Sequence, residues 1–141
     1  MLRDYQKRKL YGFESKVLWP MDSEEIGQQE AQDWVNFIWS NEGRNHPPVV
    51  IVNRKLKVHA GNANRQRIHI QEKTRRFVMI HELTHSMQFK LDDDGEQYLP
   101  VSPHGGEFVF LYFTLLEKYM NIPMPMLMYK GKESGLKMKV I

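Results

Sequence analysis

Cysteine is absent from this sequence, and so is any apolar run of membrane-spanning length. Without cysteine the chain forms no disulfide and supplies no thiolate, so histidine or carboxylate side chains would have to hold any metal ion. A helix needs about 20 consecutive apolar residues to cross a bilayer, so we expect no membrane association. The first residues also lack the apolar stretch of a secretory signal, which predicts a cytoplasmic location.

The composition is that of a globular protein. The chain has 141 residues, of which 41% are hydrophobic, and a net charge of +3. This length suits one hydrophobic core, and we expect a single domain over residues 1–141. The lysine and arginine residues form small local clusters without a nucleic-acid recognition motif, which leaves association with DNA open.

The segment His81-Glu82-Leu83-Thr84-His85 has the HExxH pattern of zinc hydrolases. In a helix, His81 and His85 lie one turn apart on one face, where both imidazoles can bind one Zn²⁺ ion. Glu82 then lies beside the metal, where it can take a proton from the metal-bound water as a general base. Apolar residues at helical spacing predict that this helix runs over 75–89.

A catalytic zinc site needs a third protein ligand. The metzincin pattern would place a histidine at position 91, which is leucine. The next histidine, His104, precedes a second apolar segment over 108–120, which we predict to be a helix that packs on the first. We favour His104 as the third ligand, and Glu107 is the alternative.

The remaining elements predict an α+β fold. A capping box at 22–25 predicts the start of a helix that ends near residue 41. The apolar run after Pro47-Pro48 predicts a short buried strand over 49–52, and alternating apolar residues predict strands over 56–60 and 67–71. The small sheet would pack on the HExxH helix, with the second long helix beside it. Because proline disfavours helix interiors, we expect the proline- and methionine-rich segment over 121–141 to be an extended tail.

Together these motifs resemble the SprT-like zincin metallopeptidases, which have HExxH, a loop, an HGxxF-type segment and a long apolar helix. The pattern is most similar to that of small metallohydrolases from actinobacteria and their phages. That group has an N-terminal RD-x-Q-x₄-Y-x-x-E pattern and a strand pair that contains a glycine. The matching residues here are Arg3, Asp4, Gln6, Tyr11, Glu14 and Gly61. Many SprT-like proteins add a cysteine-rich zinc ribbon, which this chain lacks.

The resemblance implies a zincin-like minimal domain with His81, His85 and His104 as zinc ligands and Glu82 as the general base. It implies a zinc metallopeptidase that cleaves protein or peptide substrates, in the host cytoplasm if a phage encodes it. The competing hypothesis is a non-catalytic, zinc-stabilised binding module associated with DNA or DNA-bound proteins.

Zincins commonly bind an extended substrate along a sheet edge. The strand predicted over 67–71 directly precedes the metal-site helix and is our candidate edge. The residue that stabilises the oxyanion stays open among Tyr98, Tyr112 and His69.

Overall fold

The computed structural model describes residues 4–57 and 61–140. The elements follow in this order: α1 Lys7–Phe13, a π-helical segment Glu14–Leu18, α2 Trp19–Met21, β1 Glu25–Ile26, α3 Gln28–Asn41, β2 Val49–Val52, β3 Asn62–Ala63, β4 Arg67–Ile70, β5 Thr74–Arg75, α4 Arg76–Gln88, β6 Lys90–Leu91, β7 Gln97–Tyr98, α5 Gly106–Met120 and α6 Met124–Glu133. This mixture of helices and small sheets confirms the predicted α+β class.

The chain divides into two compact units. One unit comprises Met1–Ser23 together with Lys90–Ile141, and the other comprises Glu24–Phe89. The HExxH helix α4 therefore belongs to the central unit, which is one continuous segment. The segment that carries His104 belongs to the unit formed by the two terminal parts of the chain.

The central unit contains a three-stranded sheet in the order β2-β4-β3. Strand β4 pairs in parallel with β2 and antiparallel with β3. Its two isoleucines, Ile68 and Ile70, are fully buried, and α4 packs against β3 and β4. The strand predicted over 67–71 is thus confirmed, but its predicted place at the edge is wrong. Both sides of β4 are hydrogen-bonded, and β2 and β3 form the two edges of this sheet among the residues that the structure describes.

The capping box did not start the helix that it predicted. Residues 25 and 26 form β1, which pairs antiparallel with β5, and α3 begins at Gln28 with Gly27 as its N-cap. The side chain of Glu24 instead forms an ion pair with Arg76. The same pairing with β1 keeps Thr74 and Arg75 extended, so α4 begins one residue later than predicted. The strand predicted over 56–60 lies mostly outside the described residues.

Helix α5 is central to the terminal unit. Six of its residues, Phe113 among them, are buried, and the ring of Phe113 lies 5.3 Å from that of Phe13 in the N-terminal helix α1. Helix α6 packs on the same ring through Gly131, where an added Cβ would lie 3.2 Å from Phe113. The helix α5 ends at Met120 because Asn121 adopts a left-handed conformation, with a φ of 55°.

The extended tail predicted over 121–141 is wrong in part, because Met124–Glu133 forms helix α6. Pro123 is its N-cap and Pro125 lies in its first turn, where a missing N–H costs nothing and the fixed φ suits a helix. Leu127 is fully buried and anchors the helix. After Gly135, residues 136–140 form neither helix nor strand. No helix in the described part of the chain is long and apolar enough to cross a membrane.

Candidate metal centre

Helix α4 is buried along almost its whole length, including its polar residues. Ten of its thirteen residues are buried, so the polar ones need internal partners. The hydroxyl of Thr84 donates to the carbonyl of Ile80 at 2.7 Å, and that of Ser86 donates to the carbonyl of Asn64 at 2.7 Å. The second bond fastens the helix to the residue that follows the edge strand β3.

The two histidines of the motif point at each other on this helix. Their Nε2 atoms are 3.2 Å apart and their ring centroids 4.9 Å apart. Two nitrogens that bind one tetrahedral zinc ion at about 2.05 Å are separated by about 3.3 Å. The observed separation of the His81 and His85 nitrogens is therefore close to that of a shared ion. His81 is 4% exposed, whereas His85 is half-buried.

His104 is held by the N-terminal segment of its own unit. Its Nδ1 lies 2.8 Å from Oδ2 of Asp4, and its backbone carbonyl accepts a hydrogen bond from Gln6 at 3.1 Å. The rings of Tyr11 and Phe108 contact the imidazole edge-on at 5.7 and 5.2 Å. The side chain is buried, so these contacts leave it little rotational freedom.

The three predicted ligands come together. One ligand atom from each of His81, His85 and His104 lies within 4.8 Å of the other two, which is close enough to bind one metal ion. Glu107, the alternative ligand, is not in this group. Its carboxylate forms an ion pair with the Nζ of Lys139 at 3.4 Å.

Glu82 follows the first histidine and is also buried, with 6% exposure. Gly61 lies directly against its carboxylate, since a Cβ added to that glycine would be 2.5 Å from Oε2. Gly61 precedes β3, so this edge strand begins beside the candidate base. Only a residue without a side chain can occupy this position while Glu82 stays where it is.

The donor set fits zinc. Three imidazole nitrogens are ligands that zinc prefers, and three protein ligands leave the open position of a catalytic site. Glu82, the residue after His81, is a buried carboxylate that does not belong to the group of three. The three histidines are therefore compatible with the zinc ion that the sequence predicts.

The predicted oxyanion candidates are not brought to the centre by their described contacts. The hydroxyl of Tyr112 is buried and donates to Glu14 at 2.7 Å, and Tyr98 is exposed on β7. His69 lies in the middle of β4, where its Nδ1 is buried without a hydrogen-bond partner in the described part of the chain. None of the three is assigned a role at the centre.

Sequence reasoning assigned no role to four residues that now line the candidate ligands and base. They are Asp4, Gln6, Tyr11 and Gly61. Each belongs to the N-terminal or glycine-containing pattern from which the sequence analysis predicted the family resemblance, and that pattern was the available signal. The pattern did not reveal their roles because their partners are distant in the sequence.

Comparisons with protein-family models, curated proteins and solved structures find no match to this chain. The SprT-like resemblance therefore depends on the motifs themselves. The functional argument depends on the chemistry of the histidines and of Glu82.

Proposed function

We propose that this protein is a zinc-dependent metallopeptidase of SprT-like zincin type. The observation that carries the proposal is the group of three histidine ligand atoms within 4.8 Å of one another, two of them from an HExxH helix. The 3.2 Å separation of the His81 and His85 nitrogens supports a shared ion. A structural zinc site normally has four protein ligands, whereas a catalytic site has three and an open position. The three candidate histidine ligands therefore favour a catalytic site.

Under this proposal, His81, His85 and His104 would hold the metal. Bound zinc supplies Lewis-acid polarisation of a carbonyl oxygen and of a water molecule, whose pKa it lowers to about 7. The carboxylate of Glu82 accepts a proton from the attacking water and delivers it to the nitrogen of the leaving amine. Burial of Glu82 shields this proton transfer from bulk solvent.

An edge strand next to the base suggests how a peptide would bind. In the described residues β3 is one of the two edge strands of the three-stranded sheet, and it is the one that begins after Gly61, which contacts Glu82. An extended peptide could add to this edge through main-chain hydrogen bonds. The bond between Ser86 and Asn64 keeps that edge fixed to the HExxH helix. We therefore propose that an extended substrate pairs with β3 and not with β4.

The test compares the parent protein with Glu82→Gln and with the control Glu30→Gln. Glu30 is an exposed glutamate on α3, so its replacement makes the same chemical change away from the centre. Zinc content, melting temperature and cleavage are measured on a broad peptide and protein panel that includes DNA-bound proteins. Glu82→Gln should keep its zinc and its stability but lose at least roughly 10²-fold in activity, the low end for positioned acid–base groups.

Two outcomes would contradict the proposal. If the parent and Glu82→Gln cleave a substrate equally, the cleavage does not come from this centre. If the parent binds zinc and cleaves nothing on the whole panel, the non-catalytic, zinc-stabilised binding module replaces the peptidase. Retention of DNA or a DNA-bound protein in that screen would then identify the partner class.

A further inference from the structure

We infer that Asp4 and Gln6 are positioning residues that fix the tautomer and the backbone of His104 before metal binds, an inference that rests on the proposed zinc site. Neither residue is a candidate ligand. Both act through His104, which is the only one of the three candidate ligands that lies outside the HExxH helix. Its placement cannot come from helical spacing and must come from other contacts.

The first contact fixes the ring. Oδ2 of Asp4 lies 2.8 Å from Nδ1 of His104. A carboxylate is an acceptor, so the neutral imidazole must carry its proton on Nδ1 to donate this bond. The lone pair is then on Nε2, which is the atom left to bind a metal. A hydrogen bond at one ring nitrogen commonly selects the nitrogen that is metallated and increases its basicity.

The second contact fixes the backbone. The side-chain amide of Gln6 is 1% exposed, and its Nε2 donates to the carbonyls of His104 at 3.1 Å and Lys137 at 3.0 Å. Its Oε1 accepts from the backbone N–H of Lys137 at 2.6 Å. One buried amide therefore joins the N-terminal segment to two other segments. These are the loop over 99–105 that carries His104, called here the third-ligand loop, and the C-terminal tail over 136–140.

The tail holds the same loop from its other end. The backbone N–H of Lys139 donates to the carbonyl of Gly106 at 2.9 Å. A Cβ added to Gly106 would lie 2.8 Å from that backbone nitrogen, so the tail packs directly on the start of α5. Both terminal segments of the chain therefore contact the third-ligand loop, and Asp4 also forms a hydrogen bond with the imidazole itself.

If Asp4 only stabilised the fold, its removal would leave the tautomer of His104 unchanged. A change of tautomer therefore distinguishes a positioning role from a purely structural one. The tautomer of His104 is read from long-range nitrogen–proton couplings in metal-free protein with ¹⁵N-labelled histidine. The measurement is made at about pH 8, where an imidazole is ordinarily neutral. The parent should show the Nδ1-protonated form. Asp4→Ala should shift His104 to the Nε2-protonated form or to a mixture.

The control is Asp92→Ala, which removes a carboxylate that accepts two backbone hydrogen bonds at 2.9 Å in the β6–β7 turn. It should leave the tautomer of His104 unchanged. If the parent shows the Nε2-protonated form, or if Asp4→Ala keeps the Nδ1-protonated form, the inference is wrong. This readout requires no metal and no activity.

Zinc affinity then connects the tautomer to the centre. In competition with a chromophoric chelator, Asp4→Ala should bind zinc roughly 10- to 100-fold more weakly than the parent, the usual effect of removing an outer-shell partner. Gln6→Asn shortens the side chain by one methylene, so its amide no longer reaches the same partners and zinc binding should also weaken. Asp92→Ala should leave zinc binding unchanged. A parent that binds no zinc overturns the proposed function. A parent that binds zinc only as tightly as a folded Asp4→Ala overturns this inference alone.

Discussion

Gly61 and Glu82 are in such close contact that the glycine has no room for a side chain. A Cβ at position 61 would lie 2.5 Å from Oε2 and 2.6 Å from Cγ of the glutamate. Real Cβ atoms essentially never approach another atom so closely. The clash involves Cγ of Glu82 as well as its terminal oxygen. Because Glu82 is buried, it has little space in which to move aside. The position of the candidate base thus depends on a residue distant in the sequence.

Gly61→Ala should therefore displace Glu82 and reduce peptidase activity by at least roughly tenfold, with an overpacking cost of about 1–3 kcal/mol in the free energy of unfolding. Zinc content should change little, because Glu82 is not a ligand. Gly12→Ala is the matched control, since no atom lies within 4 Å of its added Cβ and the residue is in helix α1. Equal activity in the two variants would show that Glu82 tolerates the displacement.

The third ligand can be tested by a pair of variants. His104→Ala should weaken zinc binding by orders of magnitude, because it removes one of three nitrogen donors. Glu107→Ala should have a far smaller effect, since the carboxylate is paired with Lys139. Zinc affinity from chelator competition decides between them. The reverse ranking would indicate a His-His-Glu site and weaken the SprT-like assignment.

Removal of the metal should lower the melting temperature. Zinc at 100 times its dissociation constant stabilises the folded state by about 2.7 kcal/mol, and each kcal/mol corresponds to about 2–4 °C at this chain length. We therefore expect a chelator to lower the melting temperature by roughly 5–10 °C, measured by calorimetry. His81→Ala should melt at the same temperature with and without the chelator. If the chelator leaves the parent unaffected, zinc is not bound in the folded state.

Arg65 and Trp39 both contact the loop after helix α3. The guanidinium of Arg65 lies 4.6 Å from the ring centroid of Trp39 and donates to the carbonyls of Asn45 at 3.2 Å and His46 at 3.1 Å. The indole of Trp39 donates to the same carbonyl of Asn45 at 2.8 Å. A second guanidinium, that of Arg44, lies 5.2 Å from the ring. Burial, and next the charge of Arg65, lower the pKa of Arg44 below its usual value, while Glu42 opposes the shift.

Arg65→Lys should destabilise the protein by about 1–2 kcal/mol, because an ammonium cannot both stack on the indole and donate to two carbonyls. Urea unfolding of the variant gives the change in free energy directly. Arg67→Lys, at an exposed position on β4, makes the same change elsewhere and should have almost no effect. A loss that is equal in both variants would mean that the arrangement around Trp39 contributes nothing specific.

The sequence alone determined the parts of this protein that depend on short-range periodicity. Four-residue spacing brings His81 and His85 together because a helix turns every 3.6 residues, and the alternation in β4 follows from the pleat of a strand. Predictions from local sequence signals were less accurate where the same residues also pair with another segment or lie at a helix start. The residues of the capping box do not start a helix, because Glu25 and Ile26 pair with β5 as strand β1. The prolines after Asn121 are compatible with a helix because they lie at its start.

Only the tertiary structure decided what surrounds the candidate centre. The contact between Asp4 and His104 spans 100 positions in the sequence, and no periodic pattern encodes a pairing of that range. The approach of Gly61 to Glu82 and the central place of β4 likewise depend on how segments pack after they have formed. Helical spacing selects the first two candidate ligands, whereas long-range hydrogen bonds and steric fit orient the third ligand and the base.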